Sequence, residues 1–223
     1  MPKKILIQGG SVVGGPSGPC DLLIEYDRIA AIAPSIAADD AEIVDAAGML
    51  VAPGFVDTHR HIWQTGIRGV AADWSLVEYI RFIRLGYATA YRPEDVWISN
   101  YTGSLEALDA GITTVCDFCH IVRTPDHADA GLEGLSAAGI RAQFYYGFYD
   151  VPTDPPYFAD HAARVAHARH APRRPHRGIA GFARGGAHRG KPDLDRGQRK
   201  RDCRRPRLRS ADHRAHRHAV HAR

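Results

Sequence analysis

Strand-like and helix-like segments alternate along residues 54–148, and this alternation constrains the fold more than any other feature of the chain. β-Branched or apolar runs lie at 54–58, 112–118 and 140–148, and helical periodicity fills the intervals between them. Because a crossover helix returns the chain to the same end of a sheet, strand–helix–strand units form parallel sheets. The sequence therefore predicts an α/β fold whose first three strands are parallel.

Residues 1–52 have a different pattern, with short β-type runs and no helical segment between them. Gly and Pro separate these runs, as is typical of hairpin turns. The runs lie at 4–9, 21–26, 29–33 and 42–45. We expect a small antiparallel β-layer at 1–52 that forms its own sheet and precedes an α/β part at 53–160.

Two histidines, His59 and His61, flank Arg60 directly after the first run of the α/β part. Residues i and i+2 of a strand point to the same side, so the two imidazoles can share one metal ion. Imidazole suits zinc, iron and nickel alike. The alternative is a pair of surface histidines in a loop, and the spacing alone leaves both interpretations open.

The stretch around these histidines, Pro53-Gly-Phe-Val-Asp-Thr-His-Arg-His61, resembles the first barrel strand of the amidohydrolase superfamily. The likeness is greatest to its chlorohydrolase and cytosine-deaminase-like branch, which includes aminohydrolases of triazines and purines. Residues 111–115 resemble the second barrel strand, and the likeness covers about residues 4–160. It implies an incomplete (β/α)₈ TIM barrel preceded by a small β-sandwich segment.

The same resemblance implies one divalent metal ion, zinc or iron, with His59 and His61 as two of its ligands. It implies hydrolysis of a non-peptide carbon–nitrogen bond in a small cyclic substrate, as by a deaminase or a chlorohydrolase-like aminohydrolase. Trp63, Gln64 and His120 are the predicted substrate contacts, although Gln64 also fits an exposed loop amide. The catalytic acid or base is unknown, because the remaining ligands of the family lie on later strands.

Composition changes abruptly near residue 160. Residues 1–160 hold 10 Lys/Arg and 21 Asp/Glu, whereas residues 161–223 hold 19 Lys/Arg, four Asp and nine His. Such a segment has too few apolar residues to offset its ordering entropy, so we expect 161–223 to be disordered or ill-defined. Arg, His, Pro, Ala and Gly are also what GC-rich codons yield out of frame, and we interpret the tail as frameshifted and the chain as truncated and inactive.

A basic arm that binds nucleic acid is the alternative interpretation of the tail, since its arginines could contact phosphates. Phe182 is its single aromatic residue, which argues against stacking on bases and makes a nucleic-acid partner the weaker hypothesis. The chain has no run of about 18 apolar residues, and its four cysteines are irregularly spaced. We expect a cytoplasmic protein with a small-molecule substrate and no membrane partner, and the resemblance implies a homo-oligomer for a full-length member.

Overall fold

Two separate β-sheets organise the chain in a computed structural model that describes residues 4–149, 151–152, 154–170 and 179–184. The described residues all belong to one compact unit. Within them, no helix has both the length and the apolar character needed to cross a membrane.

The N-terminal layer is a five-stranded sheet in which β1 is the central strand. Its strands are β1 (Lys4–Val12), β2 (Cys20–Glu25), β3 (Arg28–Ala33), β4 (Glu42–Asp45) and β5 (Leu50–Val51). None of these strands pairs with the second sheet, so they form a β-layer of their own.

The expectation that this layer is wholly antiparallel is wrong. β1–β2 and β2–β3 are antiparallel, but β4 and β5 both run parallel to β1. The buried carboxylate of Asp21 helps to hold this arrangement, because it accepts hydrogen bonds from the backbone N–H groups of Gly9 and Ile36 at 2.9 Å each. Ile36 lies in the segment that carries the chain from β3 to β4, so Asp21 anchors the crossover to the sheet.

The second sheet is parallel throughout, with its strands in chain order. They are β6 (Phe55–Arg60), β7 (Ile112–Cys119), β8 (Arg141–Tyr146) and β9 (Ile179–Arg184). Sequential parallel pairing joined by helices is the arrangement of a (β/α)₈ barrel, and four such strands form part of one. The predicted α/β class with a partial barrel is confirmed.

Helices connect the parallel strands. A 3₁₀ helix (Ile62–Ile67) follows β6, and α1 (Leu76–Tyr79), a π-helix (Ile80–Tyr87) and α2 (Ala88–Ala90) then run on without a break. The remaining helices are α3 (Pro93–Asp109), α4 (Pro125–Ala138) and α5 (His161–His170). Proline at the first position of α3 and of α4, and Gly139 with φ 76° at the end of α4, are local signals that define these boundaries.

Two elements, α5 and β9, lie within the segment that the composition assigns to the basic tail. The expectation that the barrel has only three strands before residue 161 holds, but the tail adds a fourth strand that we did not predict. The sequence of β9 includes Ile179 and Phe182, which are the single Ile and the single Phe of residues 161–223. The prediction that residues 161–223 are disordered or ill-defined does not hold at α5 and β9, and residues 171–178 and 185–223 lie outside the described residues.

The core of the α/β part lies between the parallel sheet and the helices. Alternate residues of β7 and β8 are fully buried against the helical layer, among them Val115, Asp117, Cys119 and Phe144. Their neighbours in sequence point to the other face of the sheet, as the two-residue period of a strand requires. That second face is the inner face of the barrel and carries His59, Phe118 and Tyr145, whose rings stack in sequence.

Candidate metal centre and ligand cavity

His59 and His61 lie side by side at the carboxyl end of β6, with their ring centroids 5.0 Å apart and the rings nearly perpendicular. His59 is exposed and His61 is half-buried. The carboxyl ends of the strands are the face on which barrel enzymes build their active sites. The two imidazoles are therefore placed as the spacing predicts, while their role as metal ligands stays a prediction.

Phe118, at the end of the neighbouring strand β7, contacts both histidines. Its ring stacks on His59 with centroids 4.2 Å apart, and its carbonyl oxygen accepts a hydrogen bond of 2.8 Å from His61 Nδ1. Since a carbonyl can only accept, the proton of His61 is on Nδ1, and Nε2 keeps the lone pair that a metal ion needs. Burial lowers the pKa of His61, so this imidazole is neutral at pH 7.

His120 lies beneath His61, with the two ring centroids 4.0 Å apart. It is 7% exposed. Its Nδ1 is 2.9 Å from the indole Nε1 of Trp63 and 2.8 Å from a guanidinium nitrogen of Arg84, and both of these groups are donors. Burial and the charge of Arg84 lower the pKa of His120 far below its ordinary value. His120 is thus a neutral, buried acceptor.

Two of the predicted substrate contacts therefore need correction. Trp63 is wholly buried, so it cannot touch a ligand in this structure and instead donates to His120. His120 is almost as inaccessible, because Trp63, Arg84 and His61 pack against it. Both residues support the site from below, and the sequence pattern could not distinguish this position from a place on the surface of the cavity.

A cavity of about 420 Å³ opens beside His61, and Gln64 lines it, while its contact with a substrate stays a prediction. Its other lining groups include Arg60, Thr65 and Tyr79. Gln64 donates a 2.6 Å hydrogen bond from Nε2 to the hydroxyl oxygen of Tyr79, which fixes the amide on the cavity wall. A cavity of this volume is within the range that small-molecule sites occupy.

Tyr79 and Arg84 are residues of the candidate site that we did not predict. They lie five residues apart, where an α-helical pattern puts them on different faces. Tyr79 directly precedes the π-helix Ile80–Tyr87, whose i→i+5 hydrogen bonds make a wider turn than an α-helix has, and the side chains of Tyr79 and Arg84 both reach His120. A π-helix leaves no clear signal in the hydrophobic pattern, so the sequence offered no means of finding this pair.

Asp117 supports the start of the 3₁₀ helix from within the core, as a structural acceptor should. It is fully buried and accepts hydrogen bonds from the backbone N–H of Ile62 at 3.2 Å and from Asn100 Nδ2 at 3.0 Å. Burial raises the pKa of Asp117 to about 7, although the two donors and the charge of Arg60 act to lower it. Its protonation state therefore changes close to neutral pH.

The donor set fits a divalent metal ion in part. Two imidazoles at adjacent positions are suitable first ligands for zinc or iron. Within the part of the chain that the structure describes, no three His, Cys, Asp or Glu side chains are grouped so that they could hold one ion together. His120 does not complete the set, because donors occupy its Nδ1 and its Nε2 lies 3.4 Å from the Tyr79 hydroxyl.

Comparison with known proteins decides the family. Residues 50–205 match the amidohydrolase family, and this match covers more than half of the chain. The chain belongs to the amidohydrolase family. The match includes β6 to β9 with His59 and His61, and it extends beyond residue 160, where the sequence-based resemblance ended.

Curated relatives of this amidohydrolase are deaminases. The 5-methylthioadenosine/S-adenosylhomocysteine deaminase of Thermococcus kodakarensis is 32% identical over 151 residues, which are 66% of this chain and 34% of the relative. The 5'-deoxyadenosine deaminase of Methanobrevibacter smithii is 33% identical over 134 residues, which are 60% of this chain and 29% of the relative. The chain thus spans about a third of the length of these relatives.

Solved structures share the fold at lower sequence identity. The guanine deaminase of C. acetobutylicum, with guanine bound, has a TM-score of 0.66 at 14% identity over 82% of this chain and 46% of its own. An atrazine chlorohydrolase variant from Arthrobacter aurescens, complexed with zinc and atraton, has a TM-score of 0.61 at 20% identity over 82% of this chain and 47% of its own. These likenesses support the incomplete barrel of the amidohydrolase.

Proposed function

We propose that this amidohydrolase chain is the N-terminal part of a metal-dependent hydrolase that acts on a non-peptide carbon–nitrogen bond of a small aminated heterocycle. The observation that carries the proposal is the pair His59 and His61, held side by side at the carboxyl end of the first barrel strand beside a cavity. Relatives named as deaminases of adenosine derivatives and a neighbour with guanine bound support the substrate class.

His59 and His61 would hold the metal ion, zinc or iron. Phe118 prepares His61 for this role, since the hydrogen bond to its carbonyl leaves Nε2 free of a proton. A divalent metal ion supplies a nucleophile near neutral pH, because it lowers the pKa of water. The polar groups of the cavity, Gln64 among them, would orient the substrate in front of the two histidines.

The chain by itself should bind metal weakly and have negligible activity. A catalytic zinc site normally has three protein ligands, and the described residues place two together. The homo-oligomeric assembly and the cytoplasmic compartment stay predictions that this proposal does not need. The frameshift in the tail also stays a prediction, and the second of the two polypeptides compared next depends on it.

A comparison of two polypeptides tests the proposal. One is the chain as given, and the other has its reading frame changed after about residue 165 so that the family's later strands are encoded. Both are assayed for bound zinc or iron, and for ammonia released from a panel of aminated heterocycles that includes adenosine derivatives and guanine. His59→Ala is the control variant in each.

We expect stoichiometric metal and ammonia release in the second polypeptide only, and loss of both in its His59→Ala variant. Tight stoichiometric metal or turnover by the chain as given would contradict the expectation of weak binding. Metal and activity that survive in His59→Ala would contradict the assignment of the histidine pair.

A further inference from the structure

The hydroxyl group of Tyr79 lies at the meeting point of the cavity and the buried network below it. Tyr79 lines the cavity together with His61 and Gln64. Its hydroxyl oxygen is 2.6 Å from Gln64 Nε2 and 3.4 Å from His120 Nε2. The direction of these two hydrogen bonds decides what the hydroxyl offers to a ligand.

The proton of His120 is on Nε2, and geometry alone requires this. Both groups at Nδ1, the indole N–H of Trp63 and the guanidinium of Arg84, are donors that cannot accept a hydrogen bond. Nδ1 must therefore carry a lone pair, and the neutral ring keeps its one proton on Nε2. His120 thus donates toward the hydroxyl oxygen of Tyr79.

Gln64 also donates to Tyr79, through its amide nitrogen. The tyrosine oxygen therefore accepts from two donors, and within the described residues its own proton points to neither of them. A hydroxyl group has one proton to donate, and a donor without an acceptor costs free energy unless water or a ligand accepts it. The hydroxyl proton of Tyr79 is therefore free to be donated to a group in the cavity.

We propose that the Tyr79 hydroxyl is a ligand-binding donor that selects, among heterocycles entering the cavity, those with a hydrogen-bond acceptor opposite it. The substrate class it favours is an aromatic ring with an unprotonated ring nitrogen or a carbonyl oxygen at that point. Arg84 acts on Tyr79 indirectly, as a positioning residue, because together with Trp63 it keeps His120 Nδ1 an acceptor and so keeps the proton on Nε2. The inference rests on the proposed function for its choice of heterocycles.

Equilibrium binding of four probes to the chain tests the proposal without metal and without turnover. The probes are adenine and its 1-deaza, 3-deaza and 7-deaza analogues, each of which lacks one ring-nitrogen acceptor. Calorimetry measures their affinities for the wild type, for Tyr79→Phe and for Tyr87→Phe. Tyr87 is the matched control, since it lies one helical segment further on, is 46% exposed and does not line the cavity.

We expect the wild type and Tyr87→Phe to bind adenine about three- to tenfold more tightly than one of the three analogues. This ratio is the net contribution of one hydrogen bond to affinity. Tyr79→Phe should lose this preference by binding adenine as weakly as that analogue. A preference that persists in Tyr79→Phe, a wild type without preference, or a wild type that binds none of the probes would overturn the proposal. Failure of the metal and ammonia assays alone would instead count against the proposed function.

Discussion

The free energy of unfolding should decrease as the pH rises through the pKa of Asp117. The variant Asp117→Asn should remove this dependence. Burial raises the pKa of Asp117 from 3.8 to about 7 in the folded state. Between these values the folded protein binds more protons than the unfolded chain, so the free energy of unfolding decreases as the pH rises through the window. The two pKa values are about three pH units apart. At about 1.4 kcal/mol per unit, Asp117 changes the free energy of unfolding by at most about 4 kcal/mol.

Urea unfolding of both proteins at pH 4, 5.5, 7 and 8 measures the effect as a difference. Asn at this position keeps the shape and the acceptor for the Ile62 N–H but does not ionise. The other titrating groups are the same in both proteins, so their contributions cancel in the difference. They include His61 and His127, whose lowered pKa values make the free energy of unfolding rise with pH. The free energy of unfolding of the wild type minus that of the variant should fall by up to about 4 kcal/mol from pH 4 to pH 8. A difference that is constant within about 1 kcal/mol, or that grows with pH, would refute the reasoning.

Three further predictions concern packing and local stability. An added Cβ at Gly147 would lie 2.6 Å from the Cα of His120, so Gly147→Ala should cost about 1–3 kcal/mol in urea unfolding, and unchanged stability would contradict this contact. Trp63→Phe removes the donor to His120 and should cost about 1–3 kcal/mol, more than Trp74→Phe at a half-buried position; equal costs would argue against the hydrogen bond. Amides of β4, whose four residues are all exposed, should exchange hydrogen faster than those of β7, and equal protection in mass spectrometry would contradict a weak N-terminal layer.

Local sequence signals account for most element boundaries of the amidohydrolase. Pro93 begins α3 and Gly139 ends α4. In each case the backbone conformation depends on that one residue type and not on its neighbours in the sequence. The strands also lie close to the predicted runs, since alternating or continuous apolar patterns need no distant partner to be recognised. Thr124 occupies the N-cap position of α4, and Asp126 lies in its first turn, where the helix dipole favours negative charge.

Two features of the sheets differ from the sequence-based expectations, because they depend on pairing between strands that are distant in the chain. β4 looks like the next hairpin strand, yet it pairs with β1 in parallel because the segment after β3 crosses the sheet and is fastened by Asp21. β9 lies in a segment whose average composition opposes structure. Within the described sheet β9 is the last strand, and it needs only a few residues and the backbone hydrogen bonds of β8, which a composition average does not detect.

The sequence by itself determined the α/β order, the separate N-terminal layer and the positions of His59 and His61 at the end of the first strand. Each of these depends on residues that are near one another in the chain. Only the tertiary structure showed that Trp63 and His120 lie below the site, and that Tyr79 reaches the cavity while Arg84 holds His120. These contacts join residues up to 57 positions apart, and the contact of Arg84 with His120 also depends on a π-helix. Burial and hydrogen-bond direction at such distances follow from packing rather than from local pattern.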